Sequence, residues 1–294
     1  MSAYDLVARP QVEALRVVVG SAERSLTLVT PYVTPSGVEV VCQAAKNRPL
    51  GNVRLLTSVT PEAVWAGACD PAAMQAFMQR WPGATVQSLP QLHAKAYVAD
   101  DRLALVTSAN LTGSGLHTNY EYGVLLRDQP TVRDLLSDLE TYSRVGTPLG
   151  PGELARLCAV AASAGPERKR TEAPEISRIR EAIQAVMLPA QVGGRSETGL
   201  FADAVHYVLR ARGPLPTPLI QAAVRELHPE LCDDSRELVI NGRRFGKRWK
   251  HVLRNAQQHL RRRGLIEHQA GLWCLTREAG HVQWPERTGA HRRG

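Results

Sequence analysis

The stretch that most constrains this chain runs from Leu92 to Glu121, LHAKAYVADDRLALVTSANLTGSGLHTNYE. Its opening alternates, with Leu92, Ala94, Ala96 and Val98 on one face of a predicted strand. Residues two apart on a strand point the same way, so His93 and Lys95 are expected to project to one side. A turn at Asp100-Asp101 leads into a second predicted strand, Leu103 to Val106. That strand brings Ser108 and Asn110 to its end, back beside His93. An imidazole, an ammonium and two neutral polar groups then share one small pocket. An imidazole can attack phosphorus, while a lysine and an asparagine can hold phosphoryl oxygens.

The order His93-Ala94-Lys95, then Asp100, then Ser108 and Asn110, resembles the HxKxxxxD signature of the phospholipase D superfamily, which is followed by a Ser and an Asn. Asn119-Tyr120-Glu121 fits as well, because members often carry an acidic residue there to orient the histidine. Thr107 departs from the pattern, standing where the family usually has Gly, and a side chain there would crowd a phosphate. The resemblance implies an α/β fold, a phospholipase D-like mixed sheet flanked by helices. It also implies roles. His93 is the nucleophile, Lys95 and Asn110 neutralise the phosphoryl oxygens, and Ser108 bonds the same oxygens or braces the lysine. Glu121 holds the imidazole in its tautomer, and Asp100 ties the turn below the site. No metal and no cofactor is called for on this scheme.

The family reaction needs two histidines, one to attack and one to protonate the leaving oxygen. Yet none of the other eight histidines is followed two residues later by a lysine. A chain with one signature resembles the small one-motif nucleases of the family, which pair two chains so that the sites abut. The implied assembly is a homodimer with a shared pocket.

Elsewhere in the first half, strand–helix–strand spacing predicts parallel strands. Strand Ser25–Thr30 is followed by a helix capped through a Ser36–Glu39 box and by strand Val53–Thr57. A helix is expected at residues 9–19, and another from Asp70-Pro71 to about Arg80. Thr85–Ser88 and Glu121–Leu126 are expected strands, and Asp128 opens a helix ending before Gly146.

Charge separates the halves. Residues 1–150 hold 12 Lys+Arg and 13 Asp+Glu, net −1; residues 151–294 hold 24 and 15, net +9. The excess points to a polyanion-binding module joined to a neutral catalytic one. Between Gly242 and Arg263 stand nine basic residues and no acidic one: Arg243, Arg244, Lys247, Arg248, Lys250, Arg254, Arg261, Arg262 and Arg263. They are expected on one long helix whose apolar side is Trp249, Val252, Leu253 and Leu260. Two helices precede it, the second with Thr217 as N-cap and Pro218 at N1, and a hairpin turning at Ala270-Gly271 follows. Three helices and a two-stranded wing resemble a winged helix-turn-helix domain, in particular those attached to some bacterial restriction endonucleases. Such a basic helix suits the phosphate backbone and the major groove.

The expected organisation is a catalytic domain at 1–147, a helical linker at 148–198, a smaller winged-helix domain at 199–277 and a disordered basic tail at 278–294. Cys42, Cys69, Cys158, Cys232 and Cys274 are odd in number and lack a CxxC pair, which argues against a disulfide framework or a thiolate zinc site. Asp5, Arg9, Glu13, Arg16, Glu23 and Arg24 interrupt the first 30 positions, and no run reaches the ~18 apolar residues of a membrane span, so a cytoplasmic protein is expected.

The function expected from these features is metal-independent cleavage of nucleic acid, DNA rather than RNA, by a nuclease of restriction or phage-defence type. One alternative is a DNA-binding protein using its first half only to dimerise, for which Thr107 is the main support. The other is a lipid phosphodiesterase, weakened by the lack of an amphipathic membrane helix and of a second signature.

Overall fold

The computed structural model describes residues 2–46, 48–163, 181–187, 196–229, 231–240 and 243–276. They fall into two compact units. The first comprises Met1–Ser196 with Glu226–Leu231, and the second Glu197–Arg225 with Cys232–Gly294.

The first unit is built on one eight-stranded mixed sheet. In chain order its elements are β1 (Tyr4–Val7), α1 (Val12–Ser21), β2 (Ser25–Val29), α2 (Pro35–Ala45), β3 (Asn52–Thr57), α3 (Pro61–Trp65), α4 (Pro71–Arg80) and β4 (Thr85–Ser88). Then come β5 (Ala96–Ala99), β6 (Leu103–Thr107), a π-helical turn at Ser114–Thr118, β7 (Gly123–Leu126), α5 (Gln129–Val145), β8 (Thr147–Leu149) and α6 (Pro151–Ser163). Residues 181–187 are helical and are called α7. The strand order is β1-β7-β6-β5-β2-β3-β4-β8. As the crossover spacing predicts, β2 and β3 are parallel, and β4 joins β3 in parallel. The hairpin of β5 and β6 is antiparallel, with Ala96 opposite Val106 and Ala99 opposite Leu103.

Alternation along the central strands feeds two cores. Leu26, Leu28, Leu55, Tyr97 and Leu105 pack with Leu15 and Val18 of α1, Val41 of α2 and Phe77 of α4. The alternate positions Arg54 and Leu56 face α5, where Arg54 pairs with Glu140. Burial on both sides explains why β5 reads as AYVA with all four residues buried, not as an amphipathic strand.

Several expectations change. The strand carrying the signature starts at Ala96, so His93 and Lys95 precede it. A turn at residues 90–91, with Gln91 at φ 60°, sets the direction of the approach. Helix α2 is capped not by a Ser36–Glu39 box but from Thr34, without a side-chain bond, and Ser36 Oγ lies 3.0 Å from Thr34 Oγ1. Edge strand β1, unforeseen, pairs with β7. The stretch expected as a linker contributes Leu154, Leu157, Ile183, Val186 and Met187 to the core of the first unit. The polar segment at 164–180 and the tail at 278–294 lie outside the described residues. Among the described residues no helix is long and apolar enough to cross a membrane.

The second unit contains α8 (Glu197–Arg212), α9 (Thr217–Leu227), β9 (Glu237–Ile240), β10 (Arg243–Lys247), α10 (Arg248–Arg262), β11 (Ile266–Gln269) and β12 (Leu272–Leu275). Leu200, Phe201, Ala204, Val205 and Val208 of α8 are buried, as are Trp249, Leu253, Ala256 and Leu260 of α10. The expected long helix is shorter than its basic run. Arg243, Arg244 and Lys247 lie on a hairpin with β9, and the helix opens only at Arg248. Gly246, at φ +91° in the irregular part of β10, breaks the helical path. Thr217 is inside α9, since Ile220 N donates to Pro216 O at 3.2 Å. The Thr217 hydroxyl instead accepts from the Trp273 indole at 3.0 Å.

Candidate active site

Residues 109–111, just beyond β6, are fixed from three directions. The buried Tyr97 hydroxyl donates to Ala109 O at 3.0 Å, Leu111 N donates to Thr30 Oγ1 at 3.2 Å, and Thr34 N donates to Leu111 O at 3.1 Å. Two glycines permit this closeness. A Cβ on Gly37 would stand 2.1 Å from Leu111 O, and one on Gly115 would stand 2.6 Å from Asn110 O. Asn110 is therefore held by a close-packed frame. Its Oδ1 is buried and finds no partner among the described residues. An unpaired buried acceptor costs about 1–3 kcal/mol, which a ligand donor or an ordered water would recover.

His93 and Lys95 meet by a route other than strand alternation. His93 is exposed, whereas Lys95 is 8% exposed. The lysine folds back, donating to the His93 carbonyl at 2.9 Å, with Nζ 3.1 Å from Nε2 and 3.3 Å from Nδ1 of the ring. The ammonium can donate to whichever ring nitrogen carries the lone pair. The β5–β6 ladder reaches this point, since Thr107 N donates to Lys95 O at 3.1 Å. Burial pulls the Lys95 pKa below the usual lysine range, and the nearby Glu121 carboxylate opposes that fall.

Glu121 was expected to hold the imidazole. Its carboxylate is held instead by the Ser108 hydroxyl and by Asn119 Nδ2 at 3.1 Å. Ser108 thus braces the glutamate, not the lysine, and its oxygen also accepts from Tyr122 N at 3.1 Å. Glu121 acts on the site as a negative charge beside Lys95.

Asp100 is not with the others. It sits past the far end of β5, about 16 Å along the strand from Lys95 at ~3.3 Å per residue. Its carboxylate accepts from Glu23 N at 3.2 Å, from Arg24 N and Ser25 N at 2.9 Å each, and from Arg102 Nη2 at 2.9 Å. Burial would raise its pKa, but these donors together hold it below the usual carboxylate range. The signature's aspartate ties the β5–β6 turn to the start of β2.

Thr107, expected to crowd a phosphate, is turned inward and is 9% exposed. Its hydroxyl donates to Gln11 Oε1 at 3.0 Å and lies 3.2 Å from Tyr122 O, and it accepts from Ala109 N at 3.1 Å. Gln11, Gly37 and Gly115 support the site without any mark in the signature. Only the packed structure gives these three a reason.

The nine basic residues of the second unit are not equivalent. Arg248 is spent on Glu197, at 2.8 and 3.2 Å, and Arg244 and Lys247 pair with Glu237 at 3.4 and 4.0 Å. Lys250 lies over the Trp249 ring, 5.6 Å from its centroid. Arg262 Nε donates weakly to Gln258 O at 3.4 Å, and Arg263 caps the helix. Arg243, Arg254 and Arg261 are exposed, with no acidic partner among the described residues.

Comparison with known proteins places these observations in a family context. Residues 15–142 match the family model described as "Cardiolipin synthase, PLD-like domain". Cardiolipin synthase 1 of Bacillus anthracis is 26% identical over 128 residues, which are 43% of this chain and 25% of the synthase. The corresponding protein of Bacillus cereus matches equally, so the chain spans about a quarter of the length of these curated relatives. Among solved structures, Nuc of Salmonella typhimurium, a phospholipase D family member, aligns at 17% identity and TM-score 0.42, over 50% of this chain and 97% of Nuc. NucT from Helicobacter pylori aligns at 17% identity and TM-score 0.40, over 47% and 94%. The matched segment includes every residue from His93 to Glu121, and with it this chain carries a phospholipase D-like domain.

Proposed function

We propose that this chain is a phosphodiesterase that cleaves nucleic acid, DNA in the first instance, through a phosphohistidine on His93. The observation that carries the reading is the exposed His93 ring held by the buried Lys95 ammonium. His93 attacks phosphorus while the P–O bond to the leaving strand breaks. A second imidazole gives that oxygen its proton. The same imidazole then takes a proton from water, which attacks phosphorus and frees His93. Lys95 and Asn110 hold the non-bridging oxygens. Thr107, turned toward Gln11, leaves the non-catalytic alternative without its main support.

The second imidazole belongs to His93 of a second copy of this chain. The sheet supports such a partner. Leu6, Val124 and Val106 lie opposite one another across β1, β7 and β6, with Leu6 63% and Val106 37% exposed. The second unit is read as a winged-helix module that supplies the polymer, with the exposed Arg243, Arg254 and Arg261 meeting phosphates. A restriction or phage-defence role fits this pairing of modules.

A lipid phosphodiester is the second reading, favoured by the match to the cardiolipin synthase model. The test offers DNA, RNA and phosphatidylglycerol vesicles in chelator to the wild type and to His93→Ala. His93-dependent cleavage of DNA supports the proposal. Turnover confined to vesicles refutes it in favour of the lipid reading. Mixed dimers of wild type and His93→Ala should be inactive, and full activity in them would remove the shared site.

A further inference from the structure

On the segment that carries Glu121 lies an aromatic ring that neither the fold nor the proposed chemistry uses. Tyr120 is 90% exposed, although it is flanked by Asn119 and Glu121, whose side chains bond each other. A tyrosine so exposed contributes little to the core. It is nevertheless not left to move freely. The Arg9 guanidinium lies over its ring, 4.3 Å from the centroid. Arg9 is anchored in turn, donating to Thr118 O at 3.3 Å. One face of the ring is thus covered by a planar cation, and the other is open to solvent. The adjacent Glu121 carboxylate bonds the Ser108 hydroxyl, just beyond the end of β6.

We propose that the open face of Tyr120 stacks the base of a nucleotide whose neighbouring phosphate lies at His93, so that Tyr120 selects unpaired bases of a single strand. The inference rests on the nucleic-acid reading given above and narrows it. Every base presents a π-face, so stacking on an aromatic platform tolerates any sequence. A guanidinium behind the ring fixes its orientation before the substrate arrives and adds positive charge for the flanking phosphates. Adjacent α-carbons are about 3.8 Å apart, so the platform begins one residue from the carboxylate that bonds Ser108. In a duplex the bases are stacked on each other and cannot offer a face to Tyr120, which makes strand separation or a frayed end part of substrate choice. A phospholipid has no planar base, and the platform would give it no comparable advantage.

The test compares a short oligothymidylate with an abasic oligonucleotide of the same length and charge, using the full chain in chelator. The readout is the ratio of kcat/KM for the first over the second. Tyr120→Ala should lower that ratio roughly tenfold, within the range expected for loss of one base–aromatic stack. Tyr120→Phe and Tyr120→Trp should retain it, since both keep the ring. Arg9→Ala should lower it by a smaller factor. Thermal melting of each variant is compared with wild type; because Tyr120 is exposed, melting should not change. An unchanged ratio in Tyr120→Ala, in a chain that still cleaves DNA, overturns the platform while leaving the nuclease reading intact. If the wild type cleaves no oligonucleotide but turns over phosphatidylglycerol vesicles through His93, the nuclease reading itself fails and the platform falls with it.

Discussion

Asp100 is the third residue of the signature, yet the structure assigns it work far from the imidazole. Replacing it with asparagine separates the two roles. The residue is 3% exposed and has φ +52°, a left-handed conformation that asparagine tolerates, so the change adds no backbone strain. What it removes is an acceptor. Oδ1 receives Arg24 N and Ser25 N, and Oδ2 receives Glu23 N and Arg102 Nη2. An amide oxygen can replace Oδ1, but the amide NH₂ then faces two donors. The Arg102 guanidinium can turn to water or to Glu23, whose carboxylate is 3.0 Å away. The Glu23 N–H cannot leave, and the two remaining bonds lose their charge assistance. At about 1–3 kcal/mol for a stranded buried donor, the total is roughly 3 kcal/mol. For a unit of this size that is about 6–12 °C in Tm.

Denaturant unfolding followed by tryptophan fluorescence measures the cost, and cleavage is assayed where both proteins are folded. Asp100→Asn should be less stable by that amount and should keep kcat within a few-fold. The pH dependence adds a check. The folded state holds this carboxyl below its unfolded value of about 3.9, so its stabilisation is fully present above that value. It is lost as pH falls through the folded pKa. The stability gap between wild type and variant should therefore close in acid. Unchanged stability with abolished cleavage would refute the reasoning and return Asp100 to the chemistry.

Further outcomes follow from the same geometry. Glu121→Gln removes the charge that opposes the burial of Lys95, so the alkaline limb of kcat/KM against pH should move to lower pH; a fixed limb would deny their coupling. Gly115→Ala drives a Cβ toward the Asn110 carbonyl and should cost about 1–3 kcal/mol, with a fall in kcat larger than that of Gly83→Ala, where a Cβ meets nothing within 4 Å. On the nucleic-acid reading, Arg254→Glu should weaken DNA binding and flatten its salt dependence, whereas Arg244→Gln, already paired with Glu237, should do so less; a gel-shift titration in salt reads both.

The candidate site is easier to read from the sequence than the packing that holds it. His93, Lys95, Ser108, Asn110 and Glu121 are legible because chemistry restricts their types and because a tight hairpin restricts their spacing. The crossover from β2 through α2 to β3 is legible for a similar reason, since parallel strands need a helix-length connection. What escaped depends on contacts distant in the chain. Gln11 reaches Thr107 across 96 positions, and Gly37 meets Leu111 from another helix. Neither leaves a local pattern. Edge strand β1 is four residues long and mostly exposed, so it lacks the apolar alternation that announces a strand. The basic run around β10 misled for the opposite reason. Arginine and lysine favour helices on average, and the register change at Phe245-Gly246 overrides that preference.

That division also explains why the signature alone does not fix a substrate. The residues that would hold a phosphoryl group, His93, Lys95 and Asn110, recognise only what all phosphodiesters share. Discrimination has to come from groups beside the phosphate, and those are set by loops outside the motif. On the proposal above, the loop between Asn110 and β7 would supply them, with Gly115 packed against Asn110 at one end and Tyr120 open to solvent at the other. On that proposal, the same segment both stiffens the site and faces whatever lies next to the scissile bond. Grafting the segment that corresponds to residues 112–120 from cardiolipin synthase 1 of Bacillus anthracis should change the preferred substrate while His93 remains essential. If preference stays with the graft's recipient, selection lies in the second unit, and Arg254→Glu would then alter substrate choice where the loop exchange did not.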